Sequence, residues 1–201
     1  WSGAGPRWPA APRSAPPPVT YRAPLKEPGA REKIRAWRAP GERVKDNLTV
    51  FSLPPIWPLF NKFRWINRLN QKKIARYVNR KCREHGFEAP LVWVYSPTSV
   101  DCVDRIDRSG LVYDCVDRHS AYGGLMDPVG VDAMELELAA KADMVFATAK
   151  ALHARLAEAN PRAKFIPNGA NFERFVQAAE PQAAPADFPA GDGPVFVFVG
   201  A

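Results

Sequence analysis

The sequence has no uninterrupted apolar run approaching the ~20 residues that a membrane span needs. Its first residues lack the apolar centre of a secretory signal. Cysteine is scarce. Cys82, Cys102 and Cys115 show no CxxC spacing, and an odd count without a metal-type pattern points to reduced structural thiols in a cytoplasmic protein. No Gly-x-Gly-x-x-Gly follows an apolar run, which argues against a dinucleotide-binding enzyme. No repeat of fixed period is present. The most informative absence is local: between Asn61 and Arg83 there is no acidic residue at all.

What is present suffices for a core, with 46% hydrophobic and 11% aromatic residues. A formal charge of +7 favours an acidic partner, whether anionic lipid, a phosphorylated substrate or nucleic acid. The chain starts at Trp1 and stops just after an apolar run, Val195 to Val199, as expected of a piece cut at both ends.

Composition divides the chain. Residues 1–18 are rich in Pro, Ala and Gly and are expected to lack fixed structure of their own. Residues 19–176 carry the periodic segments of one α/β domain, and Val19 to Tyr21 suit a very short strand. Residues 177–194 have the composition of a linker. Residues 195–201 suit the first strand of a second domain. Within the α/β domain, Arg31 to Arg38 suits a short helix and Leu48 to Phe51 a strand. Leu91–Tyr95, Leu111–Val116 and Met144–Ala147 read as buried strands, and Phe165-Ile166 as a last one. Helices are expected near Val100–Ile106, over Pro128–Ala142 with Val131, Met134, Leu138 and Ala142 inward, and from a Thr148 cap through Ala159. Strands alternating with helices predict βαβ units and a parallel sheet. Glu135 and Glu137 are expected at the helix surface.

Asp117, Arg118, His119, Ser120 and Tyr122 follow the strand Leu111–Val116 directly. Open α/β sheets bind ligands outside the carboxyl ends of their strands, so this cluster is a candidate site. The same residues suit a helix cap and turn.

Leu59 to Glu84 contains neither Pro nor Gly, and its apolar residues follow helical spacing through Phe63, Ile66, Leu69 or Asn70, Ile74, Tyr77, Val78 and Cys82. Gly86 supplies the stop. Nine cations and no anion lie between Asn61 and Arg83. Such a helix suits an anionic membrane surface, with Arg64, Arg68 and Lys72 as contacts and Trp57, Phe60 and Trp65 inserting. Phe63, Ile66 and Ile74 would then hold the helix to the sheet. A solvated outer face, with Arg and Lys stems lying over apolar surface, accounts for it equally.

In order along the chain stand L-V-Y-D-C-V-D (Leu111–Asp117), E-L-E (Glu135–Glu137), A-D-M-V-F-A-T-A (Ala142–Ala149), I-P-N-G-A-N-F-E-R-F (Ile166–Phe175) and the closing V-F-V-F-V-G-A. This set resembles the family 4 glycosyltransferases of GT-B fold, nearest to those of teichuronic acid biosynthesis, over about residues 48–201. The resemblance implies two Rossmann-like domains across a cleft, with this chain supplying the acceptor-side domain and the start of the donor-binding one. Implied with it are a nucleotide-sugar donor, a sugar or lipid-linked acceptor, no metal and no further cofactor. Asp117 and His119 would be the catalytic residues, and Ser120, Tyr122, Asn168 and Gly169 would bind substrate. Gly169 also suits a turn at positive φ. The implied place is cytoplasmic, on the inner face of the membrane, in cell-surface polysaccharide or glycolipid synthesis, and the chain alone is expected to be inactive. Three positions depart from the family pattern: Val116 stands where a His is usual, Asn171 where an Asp is usual, and Ala149 where a Ser is usual. The alternative is a non-enzymatic basic α/β module that binds nucleic acid or anionic membrane. No recognised nucleic-acid motif is present, so nucleic acid is not the expected partner.

Overall fold

The computed structural model describes residues 30–39, 41–122 and 127–177. The expected strand at Val19, the linker composition after Gln177 and the closing apolar run lie outside these residues. The chain divides into two compact units, Trp1–Pro167 and Asn168–Ala201.

In the first unit the first described element is helix α1 (Ala30–Arg38). An antiparallel hairpin follows, β1 (Glu42–Lys45) with β2 (Leu48–Val50), so the expected strand at Leu48 pairs locally rather than joining the main sheet. Helix α2 spans Arg64–Glu84, five residues later than the expected start at Leu59. Leu59 takes φ 64°, and its carbonyl accepts the N–H groups of Lys62 and Phe63, which closes a turn ahead of the helix. At the far end Gly86 adopts φ 73°. Its N–H reaches the Arg83 carbonyl, and that of Phe87 reaches Cys82, a Schellman stop that needs a residue without Cβ strain.

Among the described residues four parallel strands make the main sheet, in the order β3 (Leu91–Val94), β4 (Gly110–Cys115), β5 (Met144–Ala147) and β6 (Ala163–Phe165). Between β3 and β4 lie a 3₁₀ turn (Pro97–Ser99) and the short α3 (Val100–Val103). Helix α4 (Pro128–Lys141) joins β4 to β5, starting with Pro at its first position, where the missing N–H is harmless. Helix α5 (Lys150–Ala159) joins β5 to β6. The chain is thus an α/β protein with a parallel sheet and flanking helices, compatible with a Rossmann-like arrangement.

One sheet face is the core. Leu111, Tyr113, Cys115, Val145 and Ala147 pack there with Val131, Met134 and Leu138 of α4 and with Leu152 and Leu156 of α5. All four residues expected on the inward side of α4, Ala142 among them, are buried. Helix α2 lies beside α3, where Ala75, Cys102 and Ile106 form a second cluster. On the opposite face Trp93 stacks on Phe146 at 5.4 Å and donates to Asp114 Oδ2 at 3.2 Å, yet Leu91, Trp93 and Tyr95 are largely exposed.

Two buried amides fix irregular backbone. Asn70, where the helical pattern left Leu69 or Asn70 open, is the inward residue. It accepts the Trp57 N–H at 2.8 Å and donates to the Trp57 carbonyl at 2.9 Å, while Leu69 is 55% exposed. Asn160 donates to the carbonyls of Ala139 and Ala142 at the end of α4, and its Oδ1 accepts the Arg162 N–H, which sets the path into β6.

In the second unit the described structure is the helix α6 (Phe172–Gln177).

Candidate functional site

The carboxyl end of β4 delivers its polar cluster as the sequence suggests. After Cys115 the chain leaves the sheet, and a 3₁₀ turn spans His119–Ala121. Asp117 is exposed, and its Oδ2 accepts the Tyr122 hydroxyl at 2.8 Å. His119 Nδ1 stands 3.1 Å from the Asp117 carbonyl, and its ring meets Tyr122 edge-on at 5.7 Å. The hydrogen bond to Asp117 raises the Tyr122 phenol above its ordinary value, since the carboxylate holds its proton. Asp117, His119 and Tyr122 are therefore brought together.

Ser120 faces the other way. It is buried, and its hydroxyl accepts Arg118 Nε at 3.2 Å. The Arg118 guanidinium reaches Asp132 of α4 at 3.4 Å. Ser120 thus ties the loop to the body instead of presenting a free hydroxyl. Burial alone would raise Asp132, but the Ser120 hydroxyl and the charges of Arg155 and Arg118 outweigh it and hold the carboxyl low.

Beneath the loop is a network that sequence reasoning missed. Glu135, expected at the surface, is 1% exposed. Its Oε1 accepts the Tyr113 hydroxyl at 2.7 Å and lies 3.5 Å from Cys115 Sγ, and Arg155 of α5 pairs with its Oε2. Arg155 also holds Asp132 Oδ1 at 2.9 Å. Burial pushes the Cys115 thiol up to about 12, and burial beside the Glu135 charge raises the Tyr113 phenol strongly. Position along the helix explains the burial of Glu135. Glu135 falls on the same helical stripe as Val131 and Leu138, and that spacing was readable, whereas the distant arginine that balances its charge was not. Glu137 is also engaged, by Arg64 at 2.5 Å and Lys141 at 3.1 Å.

Other expectations change with the structure. Thr148 does not cap α5. Its hydroxyl donates to the Val116 carbonyl at 2.9 Å, Ala149 occupies the cap position, and the bond fastens the end of β4 to that of β5. Asn168 and Gly169 lie in the second unit and are exposed. Gly169 does not adopt positive φ; among the described glycines Gly41 and Gly86 do. Arg64 is not a free surface cation. Its guanidinium pairs with Asp101 at 3.0 Å and with Glu137, and these hydrogen bonds raise it. Arg68 and Lys72 are exposed, with Arg68 Nε 3.7 Å from Asp101. Trp57 is bonded through its backbone to Asn70 while its side chain is exposed, and Phe60 is half-buried. Ile66 is buried as expected, whereas Phe63 is largely exposed.

Among the described residues no group of His, Cys, Asp and Glu could hold a metal ion, and no helix is long and apolar enough to cross a membrane. A cleft of about 510 Å³ lies between the hairpin and α2, lined by Phe51, Tyr77, Val78, Lys81 and Phe87 among others, away from the Asp117 cluster. No protein-family model matches the chain, and no curated protein sequence matches it.

Proposed function

We propose that this chain is the acceptor-side part of a GT-B glycosyltransferase that moves a sugar from a nucleotide-sugar to a sugar or lipid-linked acceptor. The observation that carries the reading is the Asp117–Tyr122 pair, held at 2.8 Å at the carboxyl end of a central parallel strand. The ordered motifs from Leu111 to Phe175 support it.

In this reading the acceptor hydroxyl lies against Asp117, which takes its proton as the oxygen bonds to the anomeric carbon. The bond from that carbon to the nucleoside diphosphate breaks, and the diphosphate leaves with the electron pair. Tyr122 orients the Asp117 carboxylate, and His119 offers a ring nitrogen to the sugar or acceptor. Ser120 and Arg118 keep the loop in place through Asp132. Asn168 and Gly169 are assigned to substrate by resemblance. The acceptors fitting this reading belong to cell-surface polysaccharide or glycolipid synthesis, on the cytoplasmic side of a membrane.

The test is a screen of nucleotide-sugars for transfer to lipid-linked and free sugar acceptors, using a polypeptide that joins this chain to a donor-binding domain. Transfer that depends on Asp117 is the expected result. Absence of transfer and of nucleotide-sugar binding across the screen would favour the second reading, a basic binding module, which the outward charge of α2 supports.

A further inference from the structure

Helix α2 is anchored by Ile66, Asn67, Asn70, Gln71, Ala75 and Tyr77, all buried. Asn67 donates to the Thr98 carbonyl and to Asp101 Oδ2, both at 2.8 Å, so the roll of the helix about its axis is fixed. That roll turns one stripe outward, interrupted at the half-buried Asn79. Trp65, Leu69, Lys72, Arg76 and Arg83 recur at helical spacing, and all are exposed. Trp65 is 63% exposed. The flanking cations are partly answered. Arg68 lies near Asp101, and Arg80 and Lys81 reach Glu84 at 3.6 and 2.6 Å. Lys72, Arg76 and Arg83 have no ion pair among the described residues.

We infer that this stripe is a docking face for an anionic bilayer, with Trp65 and Leu69 entering the headgroup layer at one end and Lys72, Arg76 and Arg83 lying on its charge. The inference does not rest on the transferase reading. Two features choose lipid over nucleic acid. The apolar pair stands at one tip of the stripe, as an interfacial wedge does. Along Lys72 to Arg83 no aromatic side chain faces outward, so successive bases would find nothing to stack on. Charge complementarity does the rest: the acids nearest the stripe, Asp101 and Glu84, are each held by a neighbouring cation. The set differs from the one the sequence suggested, because Arg64 is tied inward by Asp101 and Glu137.

The test is sedimentation of the 201-residue chain with vesicles of phosphatidylcholine alone or mixed with phosphatidylglycerol, across a salt series. Binding to the mixed vesicles, lost as salt rises, and little binding to neutral ones are expected. The triple variant Lys72→Gln, Arg76→Gln, Arg83→Gln should bind roughly a hundredfold more weakly, at about fivefold per near-surface cation. A control that removes the same charge elsewhere, Lys45→Gln, Lys150→Gln, Lys164→Gln, should keep most of the binding. Trp65→Ser should weaken binding while leaving its salt dependence. Equal binding to neutral and mixed vesicles would overturn the inference. So would equal losses in the two triple variants, or tighter binding to a single-stranded RNA oligonucleotide than to mixed vesicles. If the triple variant misfolds, the single variants Lys72→Gln, Arg76→Gln and Arg83→Gln, each expected to lose about fivefold, carry the same comparison.

Discussion

Arg155 on α5 forms an ion pair with Glu135 on α4, and that carboxylate lies beneath the strand end that carries Asp117. A buried pair is weak evidence of net stabilisation, but removing one partner strands the other charge. Arg155→Met should therefore destabilise the chain by about 3 kcal/mol or more, whereas Glu135→Gln should cost less because the amide still accepts the Tyr113 hydroxyl. Urea unfolding followed by circular dichroism measures both, and an equal, small loss would show that the pair is not what holds the strand end.

Thiol chemistry gives a second prediction. Burial raises Cys102 to about 11 and Cys115 to about 12, while Cys82 is half-buried. Thiolates react and thiols do not, so at neutral pH a disulfide reagent should label Cys82 first. The other two should follow only on unfolding. Fast labelling of Cys115 in the native chain would mean that the core beneath β4 is open.

Acid should loosen the same molecule. In the folded chain Asp104 is lowered, chiefly by its hydrogen bond from Lys141. Asp132 and Glu137 are lowered too, despite burial, by hydrogen bonds and cations. Carboxyls depressed on folding stabilise the protein above their unfolded values, 3.8 for Asp and 4.5 for Glu, and lose that contribution as pH falls through the folded ones. Stability should be flat through neutral pH and drop below about pH 4. Glu137→Gln should make the drop shallower; an unchanged acid limb would assign it to other carboxyls.

Much of the fold was legible because strand and helix periods are local. The runs Leu111–Val116 and Met144–Ala147 and the inward stripe of α4 emerge within a residue or so of their expected ends. What escaped depends on residues far apart in sequence. Glu135 is buried because Arg155 and Tyr113 come to meet it. Arg64 is withdrawn from the surface by Asp101 and Glu137, so a run of like charges in sequence is not one in space. The helical pattern left Leu69 or Asn70 open as the inward residue, and Asn70 takes that place because its amide pairs both backbone groups of Trp57. At the candidate site, sequence order placed Asp117, His119 and Tyr122 at a strand end. It could not tell that Ser120 turns inward or that Thr148 binds the Val116 carbonyl instead of capping a helix.

Sugar transfer by a polypeptide that joins this chain to a donor-binding domain, compared between wild type and Asp117→Asn, bears most directly on the proposed role of the strand-end loop. Asp117 is exposed and contributes no buried contact, so the variant should melt at the same temperature as wild type. Its turnover should fall by about 10²–10⁴-fold, the loss expected when a general base is removed. Unchanged turnover with unchanged melting would contradict the assignment and reduce Asp117 to a turn residue that positions Tyr122.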